Sequence, residues 1–310
     1  PIMRQQARKH REEYPRECRK KRGLFFIRNK VKKSLNKWKT HDIISNCVII
    51  RGGRVDTMYT TDMTAVSQAA VNKAEICNKK TGVFMMRSVM AGFFIVVATL
   101  LSNVAAAILY PVSPEAAKIM GAFLFSLAIV LIVFIGGELF TGNNMTMALG
   151  VYNKACSWKV MVKVWALSYI GNFIGCLLLS FLFVISGADR EILMNYYQTF
   201  VYTKLSISPF QLLLRGILCN FMVCLAVWAN TRMKCESGKL IVMFCIIMTF
   251  VESGFEHCIA NMATFSIGSM ILGGLDWMLV AKSMFFVTIG NILGGAVLLA
   301  LPLKLMSAEK

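Results

Sequence analysis

Gly136-Gly-Glu-Leu-Phe-Thr-Gly-Asn-Asn144 and Glu252-Ser-Gly-Phe-Glu-His-Cys-Ile-Ala-Asn261 decide how this chain is read. The first follows an apolar run ending at Ile135, the second one ending at Val251. Each puts Gly, Asn and carboxylates where a membrane-spanning helix is still under way. Glycine breaks the helix and frees backbone groups. At bilayer depth those groups find partners only in surrounding protein or a water-filled cavity. Two such breaks in one chain point to a pathway that both of them face.

The composition agrees with a membrane setting. Of 310 residues, 56% are hydrophobic and 16% charged, whereas a soluble globule carries about a quarter charged residues. Disorder, a coiled coil and a nucleic-acid enzyme are excluded for the bulk of the chain. A helix needs about 20 apolar residues to cross a bilayer, and six windows qualify: 83–109, 118–137, 160–186, 210–230, 240–265 and 279–303. Six crossings return both termini to one side. Loops 151–163 (Lys154, Lys159, Lys163) and 231–239 (Arg232, Lys234, Lys239) are basic, as is the flank holding Lys73, Lys79 and Lys80. Loop 110–117 is nearly uncharged, and 187–209 balances Arg190 and Lys204 against Asp189 and Glu191. The preference of Lys and Arg for the cytoplasmic side places both termini in the cytoplasm.

Charge divides the chain near residue 57. Residues 1–57 hold 17 Lys/Arg against 5 Asp/Glu, net +12; the other 253 residues hold 17 against 11, net +6. The first stretch is read as a basic extension, non-native or disordered, with the folded part opening at Met58. Residues 58–82 read as an amphipathic cytoplasmic helix, 83–307 as the transmembrane domain and 308–310 as a tail.

The two halves of the membrane part echo each other. Gly171-Asn172-Phe-Ile-Gly175 matches Gly290-Asn291-Ile-Leu-Gly294, and Glu138 with Asn143 matches Glu256 with Asn261. Arg87-Ser-Val-Met-Ala-Gly92 faintly matches Arg215-Gly-Ile-Leu-Cys-Asn220. Three crossings per copy is an odd number, so the second copy lies upside down. The expected fold is therefore an all-α membrane protein of six transmembrane helices in two inverted three-helix repeats, with the second and fifth helices broken.

An ionisable residue inside the membrane marks function by default. His257 is the one histidine after Met58 and sits in the second break. A neutral imidazole can donate to a passing anion, and near neutral pH it can gain charge. Glu138 and Glu256 each precede a helix restart, where a carboxylate can accept orphan amide hydrogen bonds; Asn143 and Asn261 are placed with them as structural residues. The ten cysteines show no CxxC, and with three histidines in the whole chain no metal site, cofactor or enzyme activity is expected.

These strings, Glu138-Leu-Phe-Thr-Gly-Asn-Asn144, Ser253-Gly-Phe-Glu-His-Cys-Ile-Ala-Asn-Met262 and the paired Gly-Asn-x-x-Gly motifs, resemble the formate/nitrite transporter family from about Met58 to Ser307. The resemblance implies a homopentamer of aquaporin-like protomers in a prokaryotic plasma membrane, in contact with lipid and not with nucleic acid. Each protomer would pass small monovalent anions of weak acids, with protons. By position, Leu139, Phe140 and Thr141 match the loop of the cytoplasmic-side constriction and Phe250 an aromatic of the periplasmic-side one. His257 matches the central histidine, Asn220 an asparagine near it, and Lys204 the vestibule lysine that draws anions in. Glu252 departs from the pattern; a fixed negative charge beside an anion path must be protonated, turned away or paired, with Lys204 as a candidate partner. Formate and nitrite are the expected substrates, with nitrite favoured by the short helix after Met58. A hydrosulfide channel and an aquaporin-type channel for neutral solutes are the alternatives.

Overall fold

A computed structural model of the chain describes residues 49–51, 54–56 and 58–307. The chain divides into two units, Pro1–Met58 and Tyr59–Lys310. In the first, β1 (Ile49–Arg51) pairs antiparallel with β2 (Arg54–Asp56), Ile50 opposite Val55. The basic stretch thus contains a hairpin where the sequence reading expects no element. Its remaining residues, and the tail 308–310, lie outside the described residues.

The second unit is helical. It runs α1 (Met58–Lys79), α2 (Thr81–Leu109), α3 (Pro114–Phe125) and α4 (Leu127–Val130), and a π-helical turn then carries the chain from Leu131 to Gly136. After the first break come α5 (Phe140–Tyr152), α6 (Trp158–Ser186), α7 (Arg190–Leu205), α8 (Pro209–Arg232) and α9 (Glu236–Glu252). The second break leads into α10 (Cys258–Leu272), α11 (Trp277–Ile292), a second π-helical stretch (Leu293–Leu299) and α12 (Ala300–Ser307). Local chemistry sets several starts. Ser113 and Ser208 stand before Pro114 and Pro209, and each hydroxyl accepts from an amide of the first turn. Asp276 accepts from both Met278 and Leu279 at the start of α11.

Among the described residues, five helices are long and apolar enough to cross a membrane: Thr81–Leu109, Pro114–Gly136, Trp158–Ser186, Pro209–Arg232 and Trp277–Ser307. The expected crossing at 240–265 is not a single helix. It is cut into α9 and α10, because Gly254 takes a left-handed φ of 69° in the turn between them. The outer faces of the long helices carry exposed Phe181, Leu182, Ile185 and Phe285, which suits hydrocarbon as surroundings.

Close packing of the long helices rests on small residues. A Cβ added at Gly175 would stand 2.2 Å from the carbonyl oxygen of Val89, and one at Gly294 2.2 Å from that of Ile217. α2 therefore lies directly on α6, and α8 on the α11 segment. The largest core cluster gathers Leu139, Phe140, Phe250, Cys258 and Ile259, so the two breaks sit within the core.

Candidate permeation pathway

The two helix restarts are fastened in the same way. Asn172 Oδ1 accepts from the Phe140 amide at 2.9 Å, while its Nδ2 donates to the carbonyls of Ser88 and Glu138 at 2.8 and 2.9 Å. Asn291 Oδ1 accepts from the Cys258 amide at 2.9 Å, while its Nδ2 donates to the carbonyls of Gly216 and Glu256 at 2.8 and 3.0 Å. The amide of Glu138 reaches the Arg87 carbonyl and that of Glu256 the Arg215 carbonyl, at 3.1 and 3.3 Å. The backbone freed by each break is thus satisfied inside the protein.

This corrects the role expected for Glu138 and Glu256. Asparagines take the first amides of α5 and α10, and the carboxylates turn to lysines instead. Lys73 of α1 pairs with Glu138 Oε2. Lys204 of α7 donates to both Glu256 oxygens at 2.8 and 2.9 Å, and Asn261 Nδ2 adds a bond to Oε2 at 2.8 Å. A buried carboxylate is stabilised far more by a cation than by a neutral amide, which explains the choice. The candidate pairing of Glu252 with Lys204 is corrected too: Glu252 meets Lys118 at 3.3 Å in a more exposed setting.

His257 caps α10. Its ring is 3% exposed, and its Nδ1 accepts from the Ala260 amide at 3.0 Å. An acceptor nitrogen carries no proton, so a neutral ring holds its hydrogen on Nε2. Nε2 lies 3.0 Å from Thr141 Oγ1 in the first turn of α5. The imidazole therefore joins the two restarted helices and presents a donor between them. Phe250 stacks near the ring, with centroids 6.1 Å apart.

Three cavities follow one another through this region. One vestibule is lined by Lys73, Arg87, Glu138, Asn143 and Asn230. A narrow central cavity is apolar except for His257. A second vestibule holds Lys204, Asn103, Asn261 and Thr264. Ile129, Ile132 and Leu139 line both the first vestibule and the central cavity, so they form the wall between them. Phe125, Phe250 and His257 are shared in the same way by the central cavity and the second vestibule. From one mouth to the other the lining runs from a charged vestibule, past an apolar wall and an apolar cavity, to a wall of Phe125, Phe250 and His257 that opens on the Lys204 vestibule.

Of the residues singled out from sequence, Leu139, Phe250 and His257 line the central cavity, and Thr141 reaches it through the histidine. Phe140 and Asn220 line none of the three. Phe140 packs edge-on against Tyr169 with centroids 4.9 Å apart. Asn220 donates to the carbonyls of Thr141 and Asn291, at 3.2 and 2.6 Å, as an internal tie. Sequence reasoning missed Phe125, Ile129 and Ile132, because a wholly apolar span gives no sign of which face turns inward. It also missed Lys73 as the partner of Glu138, because α1 stands outside the repeated part.

Comparison with known proteins accords with this geometry. The profile described as Formate/nitrite transporter matches residues 60–305. The "Uncharacterized transporter YwcJ" of Bacillus subtilis is 31% identical over 78% of this chain and 96% of its own length. The "Formate channel FocA" of Haemophilus influenzae is 33% identical over 58% of this chain and 71% of its own. The "Nitrite transporter NirC" of Escherichia coli is 29% identical over 76% and 89%. Among solved structures, an "FNT family ion channel" superposes with a TM-score of 0.75 and 25% identity, covering 80% of this chain and all of that one. A "Pentameric formate channel with formate bound" superposes with a TM-score of 0.65 and 27% identity, covering 74% and 98%. With its apolar helices, its two fastened breaks and this match along nearly the whole second unit, the chain belongs to the formate/nitrite transporter family, a group of multi-pass membrane channels and transporters and not of enzymes.

Proposed function

We propose that the protein is a channel for a small monovalent weak-acid anion, formate or nitrite, which crosses between the two vestibules past His257. The observation that carries this reading is an apolar central cavity whose one polar lining group is His257, in the wall toward Lys204, with a lysine–glutamate pair at each end. The fold is read as two inverted three-helix repeats, with 240–265 as a broken sixth crossing. The matched bonds of Asn172 and Asn291 support that reading. The basic loops support both termini in the cytoplasm of a prokaryotic cell, with the Lys73 vestibule inside and the Lys204 vestibule outside. The pentameric relative supports a homopentamer.

A bare anion loses several kcal/mol on leaving water for walls of Phe, Leu and Ile, which replace none of its hydration. The neutral acid avoids most of that loss. The excess cation at the Lys73 mouth raises the local anion concentration there, and a proton joins the anion before the apolar wall. His257 is not itself the acid: with Nδ1 engaged by Ala260, the neutral ring offers Nε2–H as a hydrogen-bond donor and has no proton to give away. The proton therefore comes through water, and His257 with Thr141 steadies the cargo in the central cavity.

Flux of formate and nitrite into liposomes carrying the full chain tests this. Flux rises as pH falls toward the acid's own pKa, and His257→Phe lowers it at least about tenfold while leaving the fold in place. Equal flux at all pH values, or from His257→Phe, overturns the scheme. Osmotic swelling without anion flux favours a channel for neutral solutes.

A further inference from the structure

The two vestibules are not equivalent in charge. At the Lys204 mouth one cation faces one carboxylate, and the carboxylate is saturated by Lys204 on both oxygens and by Asn261. At the Lys73 mouth Lys73 and Arg87 face Glu138 alone, leaving one positive charge over. Among the described residues no hydrogen bond or ion pair engages the Arg87 guanidinium. Arg215, its counterpart by sequence, does not line the Lys204 vestibule, so the extra cation belongs to one mouth only.

The matching asparagines differ as well. Asn261 spends its amide on Glu256, whereas Asn143 Nδ2 has no partner although the residue is only 1% exposed and lines the Lys73 vestibule. A buried amide without an acceptor is costly and rare in a folded protein. An acceptor from solution would relieve it.

We infer that the Lys73 vestibule contains a binding site for a small two-oxygen anion, a carboxylate or nitrite, held by the Arg87 guanidinium and the Asn143 amide. The planar fork of arginine matches two oxygens on one centre, and a lysine point charge does not. The site thereby favours such anions over hydrosulfide or chloride, which have no oxygen pair for the fork. The inference rests on the channel reading and narrows its substrate class at the step of capture.

The test is binding, kept separate from flux. The purified full chain in detergent is titrated with 13C-formate, followed by line broadening at constant ionic strength, and in parallel with hydrosulfide. Arg87→Lys keeps the charge and is expected to weaken formate binding about tenfold, and Asn143→Ala several-fold, with hydrosulfide unaffected by either. Unchanged formate binding in Arg87→Lys, or an equal loss of formate and hydrosulfide, overturns the site. A parent protein that binds formate in this Arg87-dependent way but passes none in liposomes keeps the site and removes the channel reading. Flux without Arg87-dependent binding does the reverse.

Discussion

The break before α5 and the break before α10 share one scaffold and differ in how their carboxylates are held. Both have an asparagine from a neighbouring long helix bound to the restart amide and to two carbonyls. Beyond that frame they part. Glu256 is gripped by Lys204 and Asn261 from α7 and α10, elements packed into the body of the unit. Glu138 is met by Lys73 from α1, with the neighbouring Asn143 amide idle. What the two breaks share serves the backbone, and where they differ the chemistry faces the solvent. The shared part answers a demand that the membrane makes of any break, whereas the unshared part is free to specialise.

The most damaging way to probe this comparison is to attack the shared frame. Gly175→Ala and Gly294→Ala each push a methyl to 2.2 Å from a backbone oxygen of the adjoining helix. Both are expected to abolish folded protein or destabilise it by at least about 3 kcal/mol, and by similar amounts. Detergent-resistant yield and melting by size exclusion check this, and a large difference between the two variants would break the equivalence. The next effect is smaller and unequal. Glu256→Gln strands Lys204, whose side chain is only 17% exposed, and is expected to destabilise by about 3 kcal/mol. Glu138→Gln strands Lys73, at 22% exposure on one bond rather than two, and the expected loss is about 1 to 2 kcal/mol. Thermal unfolding of the two variants side by side measures the difference, and the reverse order would mean that the Lys73 mouth is the firmer one. Glu252→Gln is the weakest probe. Its pair with Lys118 is more than a third exposed on both sides and screened by solvent, so less than about 1 kcal/mol is expected. A marked change in anion flux for this variant would bring Glu252 back to the pathway.

Much of the fold is legible in the sequence. Both breaks show because Gly, Asn and Glu stand out in an apolar run, and Asn172 and Asn291 stand out as a repeat. Their bonds could not be foreseen, because a repeated Asn says that a position matters twice and not which amide it meets. Contacts from outside the repeat were hidden for a related reason. Lys73 lies among other flank lysines, Lys79 and Lys80, with nothing to mark the one that turns inward. Of the site itself, His257 stands out as the one imidazole in the second break, Leu139 and Phe250 follow from the resemblance, and the structure lines the central cavity with all three. Phe140 lines none of the three cavities: a first-turn aromatic beside a constriction can turn to either side, and here Tyr169 claims it.

The two asparagines also limit how such a protein can move. Each spends its carbonyl oxygen and both amide hydrogens across three segments, so swinging α5 against α6, or α10 against α11, would tear the bonds to the restart amide and to the break carbonyl together. For the channel proposed above, rotation of single side chains such as Leu139 and Phe250 in the walls is the opening motion that leaves these bonds intact. On that reading the protein works as a sieve with a flexible mesh, unlike machines that rock whole halves to expose their cargo first to one compartment and then to the other.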